Sequence, residues 1–188
     1  QLGLGTTNNY SSPVQLGSAT SWVQSISGRF HSSGLKSDGT IWVWGYNGSY
    51  RLGLGDQIDR SNPVQVGTET SWVQATAEMS DNLAIKSNGT LWGWGTNSYG
   101  NLGLGHATIA SLPTQVGTET SWTQVKGGYN HSCGLKSDGS VWVWGLNDVG
   151  QLGLGDTNNR SSPVRLGTLT GWTGIFTGEV SHSLFMIR

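Results

Sequence analysis

Unbroken apolar runs return along this chain at wide, regular intervals, and each is entered through a turn pair. Leu35-Lys36-Ser37-Asp38-Gly39-Thr40 leads into Ile41-Trp42-Val43-Trp44-Gly45, and almost the same words recur from Ile85 to Gly95 and from Leu135 to Gly145. Asp-Gly or Asn-Gly between two apolar runs predicts a β-hairpin, because both turn residues must accept positive φ. Along the second strand, Trp42 and Trp44 fall on one face and Ile41 and Val43 on the other. A strand apolar on both faces has to be covered on both. No window carries apolar residues at three- and four-residue spacing over a helix's length, so the pattern predicts an all-β chain.

The pattern is periodic. Trp22, Trp72, Trp122 and Trp172 stand 50 residues apart, as do Leu2, Leu52, Leu102 and Leu152 of Leu-Gly-Leu-Gly, and Pro13, Pro63, Pro113 and Pro163. Each unit predicts four extended pieces, which in the first are Val14-Gln15-Leu16, a strand from Trp22, a third from His31 to Lys36, and a fourth from Thr40 to Trp44. The proline is placed at the start of an edge strand, where its missing N–H breaks no ladder. Four short strands in a unit of about 50 residues predict propeller blades. A blade sandwiched between neighbours answers the need for two covered faces. The expectation is one β-propeller domain over 1–188, with units 1–50, 51–100, 101–150 and 151–188 and four-stranded antiparallel blades. Its last blade is closed by the N-terminal segment around Val14 or by another chain, or the array is part of a longer propeller. Leu184-Phe185-Met186-Ile187 replaces the hairpin words, and so apolar a strand is expected to be covered, with Arg188 read as the end of the chain.

One motif, Gly-x-x-His-Ser-x-x-Leu-Lys-Ser-Asp-Gly-x-x-Trp-x-Trp-Gly-x-Asn-x-x-Gly-x-Leu-Gly, is spelled out from Gly128 to Gly153. It resembles the repeat of the regulator of chromosome condensation family, and the resemblance covers the whole chain. Kelch repeats have a similar length, but their tandem Gly-Gly is represented only by Gly127-Gly128. The resemblance implies a propeller, usually of seven blades, with strands of adjacent repeats shared between blades. The best-known members exchange guanine nucleotide on the Ran GTPase and bind chromatin through inserted loops and charged surfaces, and neither an insertion nor a basic tail is present here. Another relative, a secreted bacterial inhibitor of β-lactamase, implies that the scaffold can act purely by surface binding.

Composition narrows the classes. Charged residues are 11% of the 188 and the net charge is −1, so nothing marks a nucleic-acid partner. Thirty glycines and ten tryptophans at fixed intervals suit tight turns between short packed strands. Cys133 is alone, which excludes a disulfide framework and a cysteine zinc site. No apolar run approaches the roughly 18 residues of a membrane span, so no membrane insertion is expected.

Candidate chemistry is thin. His31 and His131 share a slot that holds Asp81 in the second unit and Ser181 in the fourth, which reads as blade packing rather than a base. Cys133, two residues from His131, invites a nucleophile–base reading, but Ser33, Leu83 and Ser183 fill its slot elsewhere, so a small buried residue is expected. Asp38, Asn88 and Asp138 are turn residues. Asp56 to Asp59 and Asp156 to Asn159 lack the oxygen set that calcium prefers. No catalytic residue, metal site or cofactor is expected, and no enzymatic activity.

Function is sought where the units differ, since the recurring positions are spent on the scaffold. The loops following the innermost strand differ most usefully, and a closed ring gathers them round one mouth of its channel. Arg29, Phe30, Met79, Tyr129 and Asn130 are the candidate partner-binding residues. The first reading is a non-enzymatic protein-binding or structural module, acting on a protein partner or by self-association, on a cell or virion surface. The alternatives are guanine-nucleotide exchange on a small GTPase, which the family implies, and lectin-like glycan binding, for which Phe30, Tyr46, Tyr50, Tyr99 and Tyr129 supply loop aromatics.

Overall fold

The computed structural model describes residues 2–176 and 185–187. Three four-stranded antiparallel sheets follow one another along the chain. The first runs β1 (Trp22–Ser27), β2 (His31–Lys36), β3 (Ile41–Gly45) and β4 (Arg60–Gln65), in that spatial order. The second is β5 (Trp72–Ala77), β6 (Asp81–Lys86), β7 (Leu91–Gly95) and β8 (Ala110–Gln115). The third is β9 (Trp122–Gly127), β10 (His131–Lys136), β11 (Val141–Gly145) and β12 (Arg160–Arg165). A two-stranded sheet of β13 (Gly174–Phe176) and β14 (Phe185–Ile187) ends the described array.

The Asp-Gly and Asn-Gly hairpins form, but only Gly39, Gly89 and Gly139 take positive φ; Asp38, Asn88 and Asp138 do not, and they serve the turn through their side chains instead. Asp38 Oδ1 accepts the Thr40 backbone N–H at 3.0 Å and its hydroxyl at 2.6 Å, and Thr40 Oγ1 accepts the Trp42 indole N–H at 2.8 Å. Asn88–Thr90–Trp92 and Asp138–Ser140–Trp142 repeat this relay. The half-buried indole of the second strand is therefore satisfied by its own turn. The other indoles go deeper: Trp94 and Trp144 are fully buried and meet Trp72 and Trp122 edge-on, at 6.2 and 5.8 Å between centroids.

The fourth strand of each sheet comes from the following unit. Val64 pairs with Val43, Thr114 with Gly93 and Val164 with Val143, so each blade is stitched to the next by the segment after the proline. Pro63 lies inside this outer strand rather than at its start, where the ladder slips between Val43 and Gly45 and asks no N–H of it. The same exchange explains why Val14-Gln15-Leu16 forms no strand. Its counterparts pair with the hairpin of a preceding unit, and among the described residues it has none. Val14 is half exposed, and no described ladder joins this segment to the two-stranded sheet. Ser181, His182, Leu184 and Arg188 lie outside the described residues.

Blades are joined by a glutamine ladder. Gln24 Nε2 donates to the Ala75 carbonyl at 2.9 Å while its Oε1 accepts the Ala75 N–H at 3.3 Å. Gln74 grips Val125 in the same two ways, and Gln124 reaches Thr173 O and Ile175 N. Each innermost strand thus holds the next by a side chain that imitates a peptide group. A core of Leu52, Leu83, Ile85, Leu91, Trp94 and Leu102 fills the space between the blades behind it.

Candidate functional site

The ends of β1, β5 and β9 converge on a cavity of about 500 Å³ lined by Ser27, Gly28, Arg29, Ala77, Glu78, Met79, Gly127, Gly128 and Tyr129. Three of the five candidate residues, Arg29, Met79 and Tyr129, meet here. Phe30 does not. It turns to a second cavity, of about 640 Å³, beside Tyr46, Arg60, Ser61 and the N-terminal residues Thr6 to Asn9. There it meets Tyr46 edge-on at 6.4 Å, with Arg29 over its ring at 4.9 Å and Arg51 over Tyr46 at 4.7 Å. Asn130 lines neither cavity, and its carbonyl accepts the Leu146 N–H at 2.8 Å, which closes the turn.

The floor of the mouth holds a residue that sequence reasoning passed over. Glu78 stands where the first and third units have Gly28 and Gly128, and it is buried. Its side chain crosses Gly127, where a Cβ would lie 2.1 Å from Glu78 Cγ, so glycine is what lets it lie down. Burial raises the Glu78 carboxyl well above the usual carboxylate range, and the nearby Asp81 adds to the rise. Side-chain hydrogen bonds from Ser132 and Asn101 pull the other way without overcoming burial. Ser132 Oγ lies 2.7 Å from both Glu78 Oε1 and the Asn101 carbonyl oxygen. The hydroxyl has one proton, which Ser132 Oγ turns toward the Glu78 carboxyl or the Asn101 carbonyl. Asp81 is also raised, chiefly by burial, yet its Oδ1 accepts the Asn97 N–H at 3.0 Å and its Oδ2 accepts the Asn101 amide.

The histidine slot is a joint between blades. His31 Nε2 lies 3.3 Å from Asn82 Oδ1, and Asn82 Nδ2 donates to the Arg51 carbonyl at 2.6 Å. The amide oxygen can only accept, so His31 carries its proton on Nε2. Burial lowers its pKa to about 4, and the imidazole is neutral. Cys133 is buried and its thiol is pushed well up, mainly by desolvation, which leaves it protonated. The acids of the imagined calcium loops are engaged elsewhere: Asp56 holds Arg60 at 2.7 Å and the Ile58 N–H at 2.9 Å, and Asp59 Oδ1 accepts the Asn47 N–H at 2.8 Å.

Asn47 belongs to a second recurring device that sequence reasoning missed. Its Oδ1 accepts the Leu52 N–H at 2.9 Å and its Nδ2 donates to the Asp56 carbonyl at 2.8 Å. Asn97 and Asn147 fold the following Leu-Gly-Leu-Gly segments in the same manner, and all three are fully buried. The available signal was the recurrence of Asn, like that of Gln24, Gln74 and Gln124, at the repeat spacing.

Known proteins with the same architecture come from two sources. Human WBSCR16 superposes with a TM-score of 0.71 at 23% identity, over 82% of this chain and 42% of its own. Prp20p of Saccharomyces cerevisiae, whose structure was described with its binding to Gsp1p and histones, gives a TM-score of 0.75 at 19% identity over 88% of this chain and 43% of its own. In the complex of yeast Prp20 with Kap60, the figures are 0.70 and 20%, over 79% and 37%. The chain therefore spans less than half the length of these proteins, and at such identities the likeness shows the fold. A comparison with curated protein sequences gives no match. The family model for the regulator of chromosome condensation (RCC1) repeat matches residues 38–77, 88–135 and 138–186, and a second model of that repeat matches 122–151. With most of its length matched by the repeat and three blades built on it, this chain belongs to the RCC1 repeat family.

Proposed function

We propose that this propeller is a non-enzymatic protein-binding module and that its partner docks at the axial mouth. The observation that carries the reading is the convergence of Arg29, Met79 and Tyr129, which differ between units, on one cavity above a scaffold whose recurring residues are spent on packing. An exposed guanidinium, a thioether and a phenol beside the buried Glu78, whose carboxyl is raised by burial, suit a partner segment that presents an acidic and an apolar side chain. The non-catalytic part of the reading is supported by the state of the groups that could react: His31 is neutral and held by Asn82, and Cys133 is a buried thiol.

Joint replacement of Arg29, Met79 and Tyr129 by alanine is expected to abolish partner binding while the melting temperature stays within a few degrees of the parent. Phe30→Ala, outside the mouth, is expected to leave that partner bound. Retention of every partner by the triple variant overturns the placement. Prp20p binds Gsp1p, and a family-based reading of exchange activity makes a separate prediction. On the reading argued here, this chain leaves nucleotide release from a Ran-type GTPase at its uncatalysed rate.

A further inference from the structure

Two Asn-Gly pairs stand in the chain, Asn47-Gly48 and Asn88-Gly89. This dipeptide is the one most open to loss of the side-chain amide, because glycine has no Cβ to shield its own backbone nitrogen. That nitrogen attacks the asparagine Cγ, ammonia leaves, and water opens the resulting cyclic imide to aspartate or isoaspartate. The fold treats the two pairs in opposite ways.

Asn47 is fully buried, and both ends of its amide are held: Oδ1 accepts the Leu52 N–H at 2.9 Å and Nδ2 donates to the Asp56 carbonyl at 2.8 Å. Attack at its Cγ has to wait for local opening of the chain around it. Asn88 is exposed on the turn between β6 and β7. Among the described residues nothing holds its Nδ2, so the leaving nitrogen meets water. Its Oδ1 accepts the Thr90 N–H at 3.1 Å and the Thr90 hydroxyl at 2.7 Å. Those donors already stand where the attack builds negative charge on that oxygen.

The sister units show which product the turn accepts. Asp38 and Asp138 occupy the place of Asn88, and each offers Oδ1 to the same two kinds of donor, on Thr40 and on Ser140. The hydroxyls of Thr40 and Ser140 hold these carboxyls below the usual carboxylate range. Aspartate at position 88 enters an arrangement that the chain already has twice. Isoaspartate, which prevails in free peptides, adds a main-chain carbon just where Gly89 is clamped. The Gly89 N–H donates to the Lys86 carbonyl at 2.9 Å, its carbonyl accepts the Trp122 N–H at 3.1 Å, and a Cβ on it would lie 2.0 Å from the Thr120 oxygen.

We propose that Asn88 is a site of spontaneous deamidation whose main product in the folded chain is aspartate, which turns the second hairpin into a copy of the first and third. Gly89 N releases the Lys86 carbonyl and bonds to Asn88 Cγ, and its proton leaves with Nδ2 as ammonia. Water then cleaves the bond between Gly89 N and Cγ, which restores the ordinary main chain. The product carries one further negative charge, at the end of β6 remote from the Arg29–Tyr129 mouth.

The test incubates the 188-residue chain at mildly alkaline pH and follows each Asn-Gly peptide by mass, with isoaspartate read by enzymatic methyl transfer. Conversion at Asn88 is expected to be at least about tenfold faster than at Asn47 in the folded chain, and the two rates are expected to converge in urea. No conversion at Asn88 while a free peptide copying Lys86 to Leu91 is consumed overturns the assignment. Equal rates at the two sites of the folded chain, or isoaspartate as the main native product, overturn it as well. Asn88→Asp, which copies the product, is expected to melt no lower than the parent at pH 7. A lower melting temperature means that the second turn rejects the carboxylate, which also overturns the proposal.

Discussion

At the scale of single residues, the informative positions are those where one unit departs from its sisters. Glu78 replaces a glycine and Asp81 a histidine, and together they bury two acids. A carboxyl whose folded pKa is raised contributes stability below its unfolded value, and that contribution is lost as pH rises toward the folded value. Glu78 therefore costs stability progressively from about pH 4.5 upward, with a slope of at most about 1.4 kcal/mol per pH unit. His31 runs the other way. With its pKa lowered from 6.5 to about 4, its contribution is intact above pH 6.5 and is lost as pH falls through that window. Glu78→Gln keeps an acceptor for Ser132 and removes the titration. It is expected to be more stable than the parent at pH 7, with the difference vanishing below about pH 4.5, as read by urea unfolding from pH 4 to 8. A variant less stable at pH 7 would show that Glu78 is charged in the fold.

At the scale of the strand and turn, the hairpin owes its position to contacts beyond the turn itself. Gly39 (φ +76) and Gly67 (φ +60) both occupy the left-handed region, but their surroundings differ. A Cβ on Gly39 would lie 2.1 Å from the Thr70 carbonyl oxygen of the next unit, while nothing comes within 4 Å of one on Gly67. Gly67→Ala is expected to cost about 1 kcal/mol, the strain of the conformation alone. Gly39→Ala is expected to cost about 3 kcal/mol or more, because a backbone contact between blades must also open. Equal losses in thermal melts would mean that the turn is independent of its neighbour. This contrast also shows what was legible in the sequence. The hairpin and its two-faced strand could be read because both follow from residues a few positions apart, as Asp38, Thr40 and Trp42 do. The assignment of the fourth strand could not: Val64 pairs with Val43 across a unit boundary, and nothing in Val64-Gln65 says which hairpin it joins. Arg29, Met79 and Tyr129 were legible because units differ there, and Glu78 was missed because an acid in a glycine slot reads as a surface exchange until its burial is known.

At the scale of the whole molecule, a propeller array is a chain of blades in which stability is a sum of blade terms and neighbour terms. The glutamine ladder puts a single side chain at each neighbour term, and it lets that term be weighed. Gln74 binds Val125 O at 3.3 Å and Val125 N at 3.0 Å between two four-stranded blades, with Ala75 and Val125 buried on either side. Gln124 makes the same gesture toward Thr173 and Ile175, but there it holds a two-stranded sheet and its bond to Thr173 is exposed. Loss of a paired amide in a buried setting removes two hydrogen bonds and strands a backbone N–H and carbonyl, at about 1–3 kcal/mol, whereas an exposed loss is repaired by water. Gln74→Ala is therefore expected to lower the unfolding free energy by about 2 kcal/mol, and Gln124→Ala by less than about 1 kcal/mol. Hydrogen exchange locates the difference: in Gln74→Ala, the Val125 amide is expected to lose protection together with its β9 and β10 neighbours, because blade three loses its grip on blade two. If the two variants lose equal stability, or if Val125 keeps its protection, the blades are held by their apolar faces alone and the ladder only follows their register.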